Sequence, residues 1–264
     1  CNTDGYTTSI YTLSISSVSE KGLIPWYSEP CSSSIATTYS SGATRSGERK
    51  VVTTDLRGKC TTKHTGTCAS SPIASGIVAL ALEANKNLTW RDVQHLVIRS
   101  ARPRGNLKAK DWSTNGVGLH FSHSYGFGLI DAGHLVNNAK NWKTVPLESK
   151  CVYKQKLSDE KLNYLILPGR EESISLQVEN KGCVEKIKHL EHFHIVINLS
   201  SQARRGDLSV TVISPMGTRS QLLGPRPFDD IKTGFSLFGK WPMMSVHFWG
   251  ENPVGKWTLV IKNQ

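Results

Sequence analysis

The residue pattern changes once along this chain, near residue 145, and that change limits the fold to two unlike parts. Before it, short β-branched runs alternate with stretches of helical periodicity, which argues an α/β layer architecture. After it, short strands alternate with turn signals, which argues a small β-sandwich or barrel. The 264 residues suffice for two domains of ordinary size. At 38% hydrophobic, 20% charged and with seven each of Trp, Tyr and Phe, both parts can bury cores, which excludes a disordered chain.

In the first part, Ile10, Thr12, Ser14 and Ile15 read as a strand, as do Ile35–Tyr39 and Val51–Thr54. A helix is expected from Ile73, Ile77, Leu80 and Ala81, with Pro72 in an early turn. A second starts at Thr89, which can cap it, with Asp92 as a short capping-box acid and Leu88 and Val93 as a hydrophobic staple. A third follows Asp131, with Leu135, Val136 and Ala139 on one face. Pro146 and Glu148-Ser149-Lys150 mark the boundary, so the expected domains are 1–144 and 145–264. Beyond it, Tyr164–Leu167, Ser173–Val178, His194–Leu199, Leu208–Ile213 and Trp257–Ile261 read as strands. The last strand reads as an edge that further strands would cover, so the second domain is expected to be cut short. The opening Cys1-Asn2-Thr3-Asp4 has no Met and no basic-then-apolar start, and is expected to lie inside a longer polypeptide. No apolar run reaches the roughly 18 residues that cross a bilayer, and whether an anchor follows is left open.

Lys and Arg outnumber Asp and Glu by 32 to 21, giving a net charge of +11. The basic residues are scattered and carry no zinc-finger spacing, RNP-like strand or polybasic tail, so no nucleic-acid partner is expected. Six cysteines, at 1, 31, 60, 68, 151 and 183, include no C-x-x-C pair and allow 15 pairings. With the sequons Asn87-Leu88-Thr89 and Asn198-Leu199-Ser200 they point to an oxidising compartment and candidate glycosylation at Asn87 and Asn198.

The stretch that carries chemistry is His64-Thr65-Gly66-Thr67-Cys68-Ala69-Ser70-Ser71-Pro72, running straight into an amphipathic helix. Small residues permit a tight turn, and a nucleophile at a helix N-terminus sits beside N–H groups that can stabilise an oxyanion. On this window alone, a structural cysteine before an ordinary helix is the competing explanation.

This motif resembles the nucleophile motif of the subtilisin-like serine proteases, and its surroundings resemble the furin/kexin proprotein convertases. The residues that carry the resemblance include Cys1-Asn-X-Asp-Gly-Tyr6, Pro25-Trp-Tyr27, Ala36-Thr-X-Tyr-Ser-Ser-Gly42 and Leu88-Thr-Trp-Arg-Asp-Val-Gln-His95. His123-Ser-Tyr-Gly-Phe-Gly-Leu129 belongs with them, and Leu190-Glu-His192, Arg204-Arg-Gly-Asp-Leu208 and Ser214-Pro-Met-Gly-Thr218 resemble that family's P domain. The resemblance implies the latter half of a subtilisin-like α/β catalytic domain, followed by most of a jelly-roll-like all-β P domain.

It also implies roles. Cys68 falls at the nucleophile, where the family has Ser. Asp4, Tyr6 and Thr67 fall at substrate-binding positions, Asp4 beneath a P1 arginine and Tyr6 in the S4 pocket. Glu29 matches a calcium ligand, and Thr7, Ser9 and Thr12 a loop that takes a monovalent cation, Na+ or K+. The implied disulfides are Cys1–Cys31 and Cys151–Cys183, with the partner of Cys60 upstream. The family's catalytic Asp and His and its oxyanion-hole Asn also fall upstream of Cys1, and His64 matches a non-catalytic histidine.

The expected function is therefore that of a calcium-dependent, serine-type endopeptidase of the secretory pathway. It would cleave precursor proteins after paired basic residues, and its own upstream propeptide would be a further partner. The chain alone is expected to be inactive. Because a thiol disturbs a site built for Ser-His-Asp geometry, the alternative is a homologue that binds basic prosegments without cutting them. A third reading takes Arg205-Gly206-Asp207 as an adhesive motif; against it stands an ordinary turn between two strands.

Overall fold

A computed structural model describes residues 1–103, 106–154, 166–179, 183, 186–199, 204–230 and 238–264. The chain divides into two compact units. One comprises Cys1, Ser9–Thr114 and Leu119–Leu147; the other comprises Asn2–Thr8, Asn115–Gly118 and Glu148–Gln264.

The first unit is α/β. Strands β1 (Ile15–Val18) and β2 (Ala36–Tyr39) pair in parallel, Ile15 opposite Ala36 and Val18 opposite Tyr39. A backbone bridge from Thr37 to the Gly128–Ile130 segment covers the other side of β2. An antiparallel pair, β3 (Val51–Thr54) and β4 (Cys60–His64), leads into helix α1 (Thr67–Ala84). Helices α2 (Trp90–Ser100) and α3 (Ala132–Lys140) pack on each other, and α1 packs on α3, β1 and β2. Short strands β5 (Ser113–Thr114) and β6 (His120–Phe121) pair antiparallel. Leu96, Val97, Phe121, Tyr125, Leu135 and Ala139 are buried in this unit.

The first expected strand is corrected: Ile10–Thr12 forms a turn, closed by the Thr12 N–H on the Ser9 carbonyl, and the strand starts at Ile15. Gln94 holds this turn by donating to the Ile10 carbonyl at 2.8 Å, a long-range contact that β-propensity does not register. The helix starts fare better. Thr89 accepts from the Asp92 N–H and Asp92 from the Thr89 N–H, a complete capping box, and Asp131 caps α3 through the His134 N–H. Helix α1, at 18 residues and mean hydropathy 1.3, is long and apolar enough to cross a membrane by length and composition alone. The expectation of no such run is corrected to that extent.

The second unit is all-β. An antiparallel sheet runs β10 (Arg219–Leu223), β9 (Leu208–Ile213), β12 (Gly255–Asn263), β7 (Glu171–Val178). A separate antiparallel pair joins β11 (Phe238–Ser245) to β8 (Phe193–Leu199). Both sheets feed one core: Val178, Val210, Val212, Leu222 and Ile261 from the first, Ile197 and Met243 from the second. Trp257 stacks on Phe193 at 4.5 Å and meets the edge of Phe248 at 5.1 Å. The expected edge at the last strand is corrected: β12 lies between β9 and β7, hydrogen-bonded on both sides. Of the expected strand Tyr164–Leu167, Tyr164 and Leu165 lie outside the described residues, and Ile166 and Leu167 are not strand.

Candidate active site

Position 68 is presented by a sharp turn between β4 and α1. Gly66 adopts φ 91°, a conformation that L side chains rarely take, and Cys68 follows in the first turn of the helix, exposed to solvent. Pro72 lacks the N–H that would otherwise bond the Cys68 carbonyl four residues earlier. Thr67 is exposed beside Cys68, while Ala69 and Ser70 turn inward and are buried.

The turn and the helix start are pinned to β1, to β2 and to the residues that follow β2. The Thr38 hydroxyl donates to the Ser70 carbonyl at 2.8 Å, and the Ser17 and Ser70 hydroxyls bond at 2.7 Å. Ser40 donates to the Gly66 carbonyl at 2.7 Å, and the Ser41 and Thr65 hydroxyls bond at 2.5 Å. Ser40 and Ser41 end the run Thr37-Thr38-Tyr39-Ser40-Ser41, consecutive hydroxyl residues all buried except Tyr39, and that density of hydroxyls is the sequence signal for their contacts.

The other candidate residues are placed as follows. Asp4 closes its own loop: Oδ1 accepts the N–H groups of Tyr6 and Thr7 at 2.9 Å, and its carbonyl accepts the Thr8 hydroxyl. Tyr6 is 81% exposed. The Thr7 hydroxyl donates to the Asp4 carbonyl at 3.2 Å, and Ser9 Oγ accepts from the Tyr11 N–H at 3.3 Å. Asp4, Tyr6 and Thr7 fall in the β-rich unit, and Ser9, Thr12, Glu29, Thr67 and Cys68 in the α/β unit.

Glu29 accepts from the Cys1 ammonium at 2.8 Å, its side chain 73% exposed. A carboxylate is the right donor type for calcium, but one residue supplies at most two of the six to eight oxygens that the ion takes. Among the described residues no group of three or more His, Cys, Asp or Glu is arranged to hold a metal. Glu29 alone is therefore not a calcium site.

Disulfides join Cys1 to Cys31 and Cys151 to Cys183, with Cα separations of 5.5 and 5.6 Å, while Cys60 and Cys68 are free and exposed. Asn87 is exposed in the turn before α2. Asn198 lies in β8, and Ser200 of its sequon falls outside the described residues. Three histidines pack against aromatic rings: His95 against Trp142, His123 beside Phe121 and Asp111, and His192 on the edge of Trp249.

With this geometry in place, the comparisons with known proteins define the class. Residues 4–128 match the subtilase family and residues 190–264 the proprotein convertase P-domain. The chain is 51% identical to human furin over its whole length, covering 32% of that protein. It is likewise 51% identical to a Drosophila melanogaster furin-like protease 1, covering 23% of it, and 47% identical to human proprotein convertase subtilisin/kexin type 4, covering 33%. The chain thus spans about a quarter to a third of the length of these relatives. The crystal structure of a serine protease of Aeromonas sobria superposes on 99% of this chain with TM-score 0.81 at 22% identity, covering 52% of that chain, which shows the fold alone. The α/β unit is subtilisin-like and the β-rich unit is a P domain. Over its whole length the sequence corresponds to part of a furin-type proprotein convertase, a subtilase segment followed by a P-domain segment.

Proposed function

We propose that this chain carries the nucleophile position and part of the specificity pocket of an endopeptidase that cuts precursor proteins after paired basic residues. The observation that carries this reading is Cys68, exposed at the start of α1 directly after Gly66 at φ 91°, inside the segment matching the subtilases. A side chain there can attack a scissile carbonyl while the free N–H groups of the helix start face the developing oxyanion. The base that takes the nucleophile's proton, and the acid that orients that base, would come from sequence outside this chain, as would the oxyanion-hole amide. Asp4 would meet the P1 guanidinium through its second carboxylate oxygen, since Oδ1 is used by the loop. Tyr6 would line the S4 pocket and Thr67 the substrate backbone.

Calcium, when bound, would organise the loop under P1, with Glu29 contributing one carboxylate beside donors from elsewhere in the parent protein. Thr7, Ser9 and Thr12 would supply oxygens to a monovalent cation. Two disulfides and an exposed sequon at Asn87 support maturation in the secretory pathway.

The cysteine itself favours a second reading, a homologue that holds basic prosegments without cutting them. A peptidyl-arginine chloromethyl ketone separates the two on the complete parent protein. Arginine-dependent alkylation at position 68, absent with an alanyl analogue, supports the peptidase site; tight prosegment binding without alkylation supports the binding homologue.

A further inference from the structure

Cys68 is bracketed in sequence by hydroxyl contacts on both sides. On the helix side, Ser70 bonds to Ser17 at 2.7 Å and donates to the Thr38 carbonyl at 3.2 Å. On the turn side, three residues before Cys68, Thr65 bonds to Ser41 at 2.5 Å; two residues before it, the Gly66 carbonyl accepts from Ser40 at 2.7 Å. Ser41 is itself braced, its carbonyl accepting the Tyr27 phenol at 2.7 Å. Ser17, Thr38, Ser40, Ser41 and Ser70 are all buried.

The two halves of this bracket do different things. Ser17 and Thr38 fasten Ser70 in the first turn of α1, a helix that also packs on β1, β2 and α3. In the turn, Thr65 is exposed and Gly66, at φ 91°, has no side chain of its own to anchor it. A buried hydroxyl is costly unless it is hydrogen-bonded; the Ser40 hydroxyl bonds to this turn, and the Ser41 hydroxyl bonds both to it and, at 3.3 Å, to the Tyr27 phenol. We propose that Ser40 and Ser41 are positioning residues that set the aim of the side chain at position 68. They act through Thr65 and Gly66 and touch no reacting atom. The proposal rests on reading position 68 as the nucleophile position, but its test does not need a working protease.

The test uses the two free thiols of the 264-residue chain, with Cys60 on β4 as the internal reference. Iodoacetamide labelling is followed at each cysteine by peptide mass spectrometry. Ser40→Ala and Ser41→Ala are each expected to change the Cys68-to-Cys60 rate ratio at least about threefold, because the turn sets which groups surround the thiol and how much of it a reagent can reach. Ser40→Thr and Ser41→Thr, which keep the hydroxyl, are expected to restore it. Should Ser41→Ala fail to fold, Ser40→Ala tests the same turn through its separate contact to the Gly66 carbonyl. An unchanged ratio in a folded Ala variant, or Thr variants shifted as far as their Ala counterparts, would overturn the proposal. Peptide cleavage by the complete parent protein judges the protease reading separately.

Discussion

The guanidinium of Arg205 donates through Nε and Nη2 to both carboxylate oxygens of Asp229, at 2.8 and 2.9 Å. This fork binds the first residue of the Arg205-Gly206-Asp207 triplet to the loop around Pro227, and Gly206 completes the junction. Its N–H donates to the Asp229 carbonyl, and a Cβ there would lie 2.2 Å from the Arg226 carbonyl oxygen. The triplet is a structural junction whose arginine is already occupied. Cell attachment to the protein is therefore expected to be the same for Asp207→Ala as for the unaltered chain; attachment lost on that substitution would restore the adhesive reading.

The same pair sets an acid response. Asp229 is held below the usual carboxylate range, chiefly by the Arg205 hydrogen bonds. A carboxyl lowered on folding contributes stability above its unfolded value near 4, and that stability is lost as pH falls through the folded value. Asp229→Asn should cost about 1 kcal/mol at pH 7, a partly exposed bidentate pair being worth little more. Its deficit should shrink as the pH is lowered below about 4. Melting curves from pH 7 to 3 check this; a deficit constant across that range contradicts it.

Asp92 knits the α/β unit together. Fully buried, it accepts from the Thr89 N–H and hydroxyl, the Trp142 indole and the Val145 N–H, at 2.7 to 2.8 Å. Burial pushes its carboxyl up, and these hydrogen bonds outweigh that and leave it below the usual range. Asp92→Ala strands several donors and removes the capping box, so a loss of about 3 kcal/mol or more is expected by denaturant titration. A loss under about 1 kcal/mol would mean that water replaces the carboxylate there.

Asp4 offers a test of charge at constant shape. Asn keeps the Oδ1 acceptor that bonds the Tyr6 and Thr7 N–H groups, whereas Ala removes it. In the complete parent protein, Asp4→Asn should therefore leave the melting temperature within about 2 °C while weakening cleavage after Arg. The loss in kcat/KM is expected to be at least about a hundredfold, as for an unpaired buried guanidinium. Unchanged preference for Arg over neutral P1 residues would remove Asp4 from the specificity pocket.

Disulfide mapping of secreted material should recover Cys1–Cys31 and Cys151–Cys183, with Cys60 and Cys68 labelled by iodoacetamide in the 264-residue chain. A Cys60–Cys68 bridge would contradict this arrangement.

Helix starts were the most legible part of the fold, because Thr89 and Asp131 satisfy helix N–H groups from within a few residues of sequence. The strand expected at Ile10 was misplaced because its β-branched residues are recruited to a turn by Gln94, 84 positions away. The placement of β12 between β9 and β7 was likewise invisible, since strand order within a sheet leaves no local mark. In the site, Cys68 stood out through its motif, whereas Ser40 and Ser41 did not: their partners Thr65 and Gly66 lie 24 and 26 residues away, and only the fold brings them together.

The central claim is that position 68 is the nucleophile position of a peptidase that cuts after paired basic residues. The most direct measurement compares the 264-residue chain with the complete parent protein carrying Cys68→Ser, each given a fluorogenic Arg-Arg peptide and its Ala-Ala counterpart. The account predicts no turnover by the 264-residue chain, because it draws the base from outside that chain, and Arg-dependent turnover by the parent that disappears in Cys68→Ala. Turnover by the parent that survives Cys68→Ala, or that ignores arginine, would contradict it.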